Sequence, residues 1–302
     1  MKKISPIKIK PNQKTTDLVE QMKNAGFGAR KIGLASEIAK EIFSDDKTQL
    51  FIGLAGAMVP AGMKQIIIDL LKEKPGSILV TTGANLTHDL IEALNHSHYH
   101  CDSWDDEEFN KKGFDRMYNV LMKNDVYQDL ENFFEENWDK LSKSGSQSEL
   151  IKNIAKLLPK DSNSILKTAL DNNVEIFCPA LSDSGIGLMI WGRLAAGKTT
   201  NIDAFKDMNQ IIDTAWTASK KAIVYIGGGT PKNFIQQSLQ FSSGADFAIQ
   251  ITTDQAHPGG SSGAPLEEGK SWGKLKPKAT HVDVNCDATI ALPLIFSDVI
   301  KK

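Results

Sequence analysis

Cysteine is scarce in this 302-residue sequence, which holds only Cys101, Cys178 and Cys286, far apart in the chain. An odd and dispersed set argues against a disulfide framework and favours a reducing compartment. The apolar runs stop well short of the roughly 20 residues of a membrane-spanning helix. The basic stretch 1–14 lacks the apolar segment of a signal peptide. These absences predict a soluble, cytoplasmic protein.

An excess of charge of one sign is also missing, because 35 Lys and Arg face 37 Asp and Glu, for a formal net charge of −2. No global field would attract nucleic acid or an anionic membrane, and we predict neither as a partner. No internal repeat or low-complexity segment is present. The length and the 41% hydrophobic content permit a sizeable core. We predict a single domain over 1–302.

Short apolar runs that end in Gly, Pro, Asp or Thr alternate with helical patterns along the chain. Such runs are typical of buried strands, and their alternation with helices predicts parallel βαβ units. Because the strands are apolar nearly throughout, helices should cover both faces of the sheet. The predicted fold is α/β and Rossmann-like, with a mostly parallel, doubly wound sheet. The predicted strands lie within 50–56, 77–83, 174–180, 222–229, 246–253 and 281–287.

The segment from about 102 to 170 has a different composition. It is charged, has helical patterns, and is broken by Ser and Gly at 143–147. The acidic run 105–108 suits the start of a solvated helix, where the helix dipole favours negative charge. We therefore predict a helical, charged insertion around 102–170 within the single domain.

Two local patterns imitate known binding sites. His96, His98 and His100 would share one face of a strand and suggest zinc. No second ligand pair stands nearby, so we predict no metal and interpret the cluster as a loop after a helix. The stretch GRLAAGKTT, 192–200, fits the P-loop pattern. A P-loop must follow a strand, whereas helical spacing precedes Gly192, so we do not predict a nucleotide triphosphatase.

A glycine run follows one of the predicted strands, in the stretch IGGGTPKNF at 226–234. Ligands of such sheets bind beyond the carboxyl ends of the strands, where glycine lets the chain approach a phosphate. Pro231 suits the first turn of a following helix. The run is suggestive of a dinucleotide site, and a tight strand-to-helix turn is the alternative.

The stretch HPGGSSGAPLEEGKSWGKLK, 257–276, is unlike a connecting loop. A lysine such as Lys274 can form a Schiff base if desolvation lowers its pKa. Trp272 can provide an apolar wall and a ring face for a cation, and Glu268 can hold an ammonium group. The pattern indicates amine or carbonyl chemistry by an activated lysine. The alternative is a glycine-rich surface loop with a half-buried tryptophan.

The sequence resembles the deoxyhypusine synthase family over most of its length. The family hallmark S-W-G-K stands at 271–274. The resemblance implies a Rossmann-like homotetramer with sites at dimer interfaces. It also implies NAD-dependent transfer of an aminobutyl group from spermidine, through an imine on an enzyme lysine, to a lysine of translation factor 5A. The other matching stretches, in family order, are 50–62, 78–94, 177–187, 223–233, 245–253 and 286–296.

The resemblance also implies roles for individual residues. Lys274 matches the imine-forming nucleophile, Trp272 lines the amine pocket, and Glu268 pairs with a polyamine nitrogen. The implied neighbours of NAD are Thr82, Asp183, Gly227, Gly228, Gly229, Ser262, Asp287 and Ala288.

Departures from the family pattern cluster among the positions that would bind the polyamine. Ser261 and Leu188 stand where the family has acids, and Asn233 replaces a histidine. We keep all three as predicted substrate-binding positions, although unpaired ammonium groups in a closed site would be costly. One alternative is a relative that transfers an aminoalkyl group between free amines, as a homospermidine-type synthase does. Another is a non-catalytic member that binds NAD or a protein partner.

Overall fold

The computed structural model describes residues 3–300, and the predicted α/β fold is confirmed. The described residues form nine strands, of which six make up one parallel sheet and three a separate antiparallel sheet. The strands are β1 (Thr48–Leu54), β2 (Ile78–Thr81), β3 (His98–His100), β4 (Phe114–Met117), β5 (Val120–Lys123), β6 (Glu175–Phe177), β7 (Lys220–Ile226), β8 (Ala245–Thr252) and β9 (Leu275–Asn285).

Thirteen α-helices connect and cover these strands within the described part of the chain. A π-helical turn over Val59–Met63 leads into the third helix. The helices are α1 (Thr15–Met22), α2 (Phe27–Ser44), α3 (Lys64–Glu73), α4 (Gly83–Ala93), α5 (Asp106–Lys111), α6 (Val126–Leu141), α7 (Gln147–Leu157), α8 (Ile165–Asp171), α9 (Gly185–Ala195), α10 (Ala204–Thr217), α11 (Gly229–Gln240), α12 (Glu268–Ser271) and α13 (Ala288–Ile295).

The order of the strands identifies the arrangement of the main sheet. The order is β6-β2-β1-β7-β8-β9, with every neighbouring pair parallel. Renumbered in chain order, these six strands read 3-2-1-4-5-6, which is the Rossmann order. The order reverses between β1 and β7. The register pairs Leu54 with both Thr81 and Ile226, so these strands end side by side.

Hydrophobic side chains cover both faces of this sheet. In β1, Leu50, Ile52 and Leu54 belong to the larger buried cluster, which includes α2, α3 and α13. Phe51 belongs to a second cluster, with α10 and α11. Because successive strand residues point to opposite faces, a fully apolar strand requires helices on both sides. The predicted doubly wound arrangement is therefore present.

The segment 102–170 is only partly as predicted. It contains α5, α6, α7 and α8, but β4 and β5 form a hairpin across Tyr118 and Asn119, and β5 also pairs with β3. The predicted helical, charged insertion did not include this hairpin, because strands of four residues are too short for a clear alternating pattern. In addition, α7 and α8 pack against β6 and share the larger core cluster.

The two patterns that imitate binding sites have structural explanations, although the interpretation of the histidine cluster as a loop was wrong, because His98–His100 form the strand β3. His96 pairs with Asp129 at 2.8 Å, whereas His98 contacts Glu92 at 2.8 Å and His88 at 3.0 Å. Between residues 3 and 300, no group of three or more His, Cys, Asp or Glu side chains is arranged to hold a metal ion. Gly192 lies inside α9, so the prediction that the P-loop pattern starts in a helix is confirmed. No helix in the described range is long and apolar enough to span a membrane.

Candidate active site

A cleft of about 330 Å³ opens where the strand order reverses. Open α/β sheets bind ligands at this point, beyond the carboxyl ends of the strands. The cleft receives residues from the ends of β1, β7, β8 and β9 and from the loop that follows β8. The residues that line it are Ala55, Gly56, Met58, Gly227, Gly228, Gly229, Ile251, Thr252, Thr253, Asp254, Ser262, Cys286, Asp287 and Ala288.

The glycine turn after β7 is shaped by two positive φ angles and one close contact. Gly227 has φ +76° and Gly229 has φ +56°, conformations that favour glycine. A Cβ on Gly228 would lie 2.4 Å from the Cα of Ser262. The amide of Gly229 donates to Ser262 Oγ at 2.8 Å. The turn therefore touches the loop after β8 directly, and a side chain at Gly228 would separate them.

Six of the eight residues predicted to contact NAD line this one cleft, and the other two lie beside it. Thr82 caps α4 and donates its hydroxyl to the carbonyl of Gly56, a cleft residue, at 3.3 Å. Asp183 is exposed in the turn between β6 and α9. The next residue, Ser184, packs so closely on Gly83 that a Cβ there would lie 2.4 Å away. Thr82 and Asp183 thus lie at the same end of the sheet as the cleft, but they do not line it.

The chemistry of the lining fits a dinucleotide. The glycine turn leads directly into the N-terminus of α11, where backbone N–H groups and the helix dipole favour phosphate. Hydroxyl and carboxylate groups, which can bind ribose, are supplied by Thr252, Thr253, Asp254 and Asp287. Hydrogen bonds from Thr289 lower the pKa of Asp287, so its carboxylate is ionised at neutral pH.

A second cleft, of about 270 Å³, contains the predicted catalytic lysine. The single-turn helix α12 presents Glu268 and is followed by Trp272, and Lys274 immediately precedes β9. The main chain fixes Lys274, because its amide donates to Gly269 O at 2.9 Å and its carbonyl accepts from Ala245 at 3.1 Å. The short helix and the strand pairing thereby direct three predicted side chains into one pocket.

The surroundings of Lys274 act on its charge in opposite directions. Partial burial lowers the pKa of Lys274, while the carboxylate of Glu268 raises it. The ammonium nitrogen lies 4.9 Å from the centre of the Trp272 ring, a cation–π distance. Trp272 is still 55% exposed. The Trp272 ring therefore contacts the Lys274 ammonium group, and the rest of its surface is open to another molecule.

Neutral polar groups complete the second pocket. Asn233 and Gln236 lie one turn apart on α11, and Ser261 lies on the loop after β8. Among the residues that line the pocket, Glu268 is the single carboxylate. Leu188, the remaining predicted position, is absent from this lining. It lies on α9 with 55% of its surface exposed, so one chain does not bring it to Lys274.

The two clefts share a wall, the loop 256–264 after β8. Ser262 faces the glycine cleft and Ser261 faces the lysine pocket. Lys232, buried behind this wall, donates to the carbonyls of Ser261 at 2.6 Å and Ala264 at 2.7 Å. Burial lowers the pKa of Lys232 to about 8, although Asp283 and Glu268 oppose the shift.

Several lining residues were not predicted as site residues. Asp254 follows the hydroxyl pair at the end of β8, and Cys286 precedes Asp287, so proximity along the chain could have indicated both. Gln236 could have been found from its helical spacing to Asn233. No local sequence signal indicates that Lys232 reaches the loop about thirty residues later.

Comparisons of this chain with known proteins identify similar chains in one family. The sequence profile of the family "Deoxyhypusine synthase" matches residues 17–299. "Probable deoxyhypusine synthase 1" of Methanosarcina acetivorans is 42% identical over 299 residues, covering 97% of this chain and 92% of the relative. In Archaeoglobus fulgidus, "Probable deoxyhypusine synthase 1" is 37% identical over 290 residues, covering 96% of this chain and 95% of the relative. A second protein of that organism, "Probable deoxyhypusine synthase 2", is 38% identical over 288 residues, with 92% and 96% covered.

A solved structure supports the fold. The crystal structure of an Entamoeba histolytica protein, provisionally titled as a deoxyhypusine synthase, aligns with a TM-score of 0.63. The alignment covers 95% of this chain and 92% of the other at 19% sequence identity. At that identity the likeness concerns the fold alone.

Proposed function

We propose, from the premise that the chain belongs to the deoxyhypusine synthase family and is a transferase, that it moves an aminobutyl group from spermidine to a lysine of translation factor 5A. The transfer would pass through an imine on Lys274. The observation that carries the proposal is the pocket that holds Lys274, Trp272 and Glu268 and shares the wall 256–264 with a glycine-lined cleft. A reactive lysine and a dinucleotide site would then be neighbours.

The proposed cofactor is NAD. Gly227, Gly228 and Gly229 would hold its phosphates together with the N-terminus of α11, while Ser262, Asp287 and Ala288 line the same cleft. When bound, NAD supplies a hydride acceptor for the donor amine and a hydride donor for the product. Thr82 and Asp183, at the neighbouring strand ends, are proposed to border the cofactor rather than to enclose it.

The role of Lys274 is nucleophilic. Its amine must be neutral to attack, and partial burial lowers its pKa in that direction. A carbon–nitrogen bond forms between Lys274 Nζ and the butyl carbon of the oxidised donor, and the remaining amine of the donor leaves. The acceptor lysine then takes the group and frees Lys274. Glu268 is proposed to pair with a distant ammonium of the donor, which keeps that end away from Nζ.

The exposure of the pocket supports the proposed oligomer. Trp272 is 55% exposed in one chain, and Leu188 with its neighbour Trp191, 66% exposed, forms an apolar surface on α9. We propose a homotetramer in which a second copy covers the pocket and supplies Leu188 to it. Excluding water in this way would strengthen the electrostatic contacts of the site. The proposed compartment is the cytoplasm.

A second candidate function follows from the composition of the pocket. Ser261 and Asn233 are neutral, and Glu268 is the one carboxylate of the lining. A donor with several ammonium groups would find one partner there. Transfer between free amines, with a donor other than spermidine, is therefore the alternative. Two members of the family in Archaeoglobus fulgidus show that one organism can hold more than one such protein.

The test is a reduction trap. The protein is incubated with NAD and spermidine, reduced with borohydride, digested and analysed by mass spectrometry. We expect an aminobutyl adduct on Lys274 in the wild type and none in Lys274→Ala. Lys270→Ala is the matched control, because Lys270 lies in the adjacent α12 and pairs with Glu267 at 2.9 Å. That variant should keep the adduct on Lys274.

The same trap separates the two candidate functions. An adduct from spermidine that passes to purified factor 5A supports the first. An adduct that forms only with other amines, or passes only to free amines, supports the second. Absence of any adduct across a panel of amines, with NAD bound, would contradict both and favour a binding protein.

A further inference from the structure

Two buried side chains, Lys232 and Gln250, donate to the wall between the two clefts, and Lys232 is the one that reaches Ser261. We propose that Lys232 is a positioning residue that fixes the loop 256–264, so that the cofactor cleft and the lysine pocket keep their relative placement. The consequence for catalysis rests on the proposed function, whereas the placement of the loop can be measured without any ligand.

The geometry of Lys232 suits this role. The residue is 1% exposed, and its ammonium donates to two carbonyls of the wall, Ser261 at 2.6 Å and Ala264 at 2.7 Å. It also lies 5.9 Å from the ring centre of Tyr225. Hydrogen bonds from a charged donor are the stronger kind, and a buried lysine is costly unless it is paired. The two hydrogen bonds to the wall therefore compensate for the burial of the Lys232 ammonium group.

Other contacts hold Ser262, whose Oγ accepts from the Gly229 amide at 2.8 Å, and the end of the loop, but among the described residues none of them reaches the carbonyl of Ser261. Ala264 O also accepts from Gln250 at 3.0 Å, and the amide of Leu266 donates to Asp283 at 3.1 Å. The carbonyl of Ser261, by contrast, has Lys232 as its one hydrogen-bond donor among the described residues. Loss of Lys232 would thus release the residue that faces the lysine pocket while Ala264 remained tied.

The helix that carries Lys232 adds to the argument. The glycine turn of the cofactor cleft begins α11, Lys232 follows in its first turn, and Asn233 and Gln236 face the lysine pocket. The helix α11 thus contributes residues to the glycine cleft and to the lysine pocket, and through Lys232 it also holds the wall between them. The charged groups around Lys232 are Asp283, Glu268 and Lys274, so the wall also lies within the electrostatic field of the nucleophile.

The chain offers a matched control. Lys221 is also 1% exposed, and it donates to Ala218 O at 2.8 Å and to Ser243 Oγ at 3.1 Å. It lies at the amino end of β7, and neither Lys221 nor its two partners line either cleft. Lys221→Met should cost folding stability much as Lys232→Met does, but it leaves the wall untouched.

The experiment compares amide hydrogen exchange of the peptide covering 254–268 in the ligand-free wild type, Lys232→Met and Lys221→Met. We expect exchange there to be about 10-fold faster in Lys232→Met and unchanged in Lys221→Met. If Lys232→Met does not fold, Lys232→Gln, which keeps a shorter donor, should show the same change to a smaller degree. Equal exchange in the 232 and 221 variants would overturn the proposal.

A second readout connects the wall to the reaction. NAD affinity should fall about 10-fold in Lys232→Met. Saturating NAD should not restore the rate of adduct formation on Lys274, because Ser261 lies on the amine side. Full restoration by NAD would contradict a role on both sides of the wall. If the wild type forms no adduct, the proposed function fails, while the exchange data still decide whether Lys232 holds the wall.

Discussion

Replacing Gly228 by alanine tests whether the glycine turn must touch the wall. The added Cβ would lie 2.4 Å from Ser262 Cα and 2.7 Å from Ser262 Cβ. Nine in ten real Cβ contacts are at least 3.4 Å, so the loop must retreat by about 1 Å. Gly228 is the informative glycine because, of the three, it is the one whose added Cβ would meet Ser262. At Gly227 and Gly229 a positive φ would add backbone strain, so a substitution there would not isolate a contact with the wall.

The size of the effect follows from this displacement. Overpacking of a tight contact costs about 1–3 kcal/mol, either as lost stability or as movement of the softer partner. The softer partner here is the exposed loop after β8, which carries Ser262. A displacement of about 1 Å in a reacting site can reduce the rate roughly 100-fold. We therefore expect Gly228→Ala to weaken NAD binding at least 10-fold and to slow adduct formation on Lys274 further.

Calorimetric titration with NAD and thermal unfolding measure the two parts of this prediction. Gly28→Ala, in the first turn of α2, is the control, because nothing lies within 4 Å of an added Cβ there. It should bind NAD normally and gain up to about 1 kcal/mol in the free energy of unfolding. If Gly228→Ala binds NAD within threefold of the wild type and unfolds at the same temperature, the close contact is not part of a cofactor site.

Two further predictions concern charge and stability. Adduct formation with saturating NAD should rise with pH through a midpoint below the ordinary lysine value, because burial lowers the pKa of Lys274. Glu268→Gln should move that midpoint lower still, since the Glu268 carboxylate favours the charged lysine; an unmoved pH profile would contradict this. Asp89, fully buried, accepts the first two amides of α8 at 2.8 and 2.9 Å, so Asp89→Ala should cost about 3 kcal/mol in denaturant unfolding. Asp171→Ala, which breaks a half-exposed ion pair, should cost under about 1 kcal/mol, and equal losses would refute the argument.

The main sheet could be predicted from the sequence because each strand is buried on both faces. A run such as 50–56 has no polar alternation, and its neighbours in the sheet share that property. The exception is β9, whose first half, 275–280, was not predicted. It lies at the sheet edge, contains Pro277 and is largely exposed, so its hydrophobicity carries no strand signal.

The small antiparallel sheet could not be predicted for a related reason. Its strands have three or four residues, and Arg116 and Lys123 place charges within them. Pairing between strands, which the sequence does not reveal, stabilises them instead of burial of a continuous face. The composition of 102–170 therefore predicted a charged segment that contains helices, but it did not predict the hairpin between α5 and α6.

The glycine cleft and the lysine pocket differ in how far the sequence could predict them. The glycines after an apolar run suggested the cleft, with a tight turn as the alternative, and the family resemblance supplied Ser262, Asp287 and Ala288. The pocket depends on which side chains meet across α11, the loop 256–264 and α12. Asn233 and Ser261 do meet there, whereas Leu188 does not within one chain. The buried link through Lys232 depends on tertiary contacts alone.

This difference bears on how substrate preference can change within the family. Gly227, Gly228 and Gly229 present backbone rather than side chains to the first cleft, so substitution of the side chains that line the lysine pocket would leave this part of the cleft unchanged. The lysine pocket presents side chains, so a substitution at Ser261 or Asn233 could change the charge of its lining without changing Lys274. If the proposed function holds, donor preference could change through the lining of the lysine pocket without a change in the glycine turn. The trap measured across several amines, at constant NAD occupancy, reports on donor preference independently of cofactor binding.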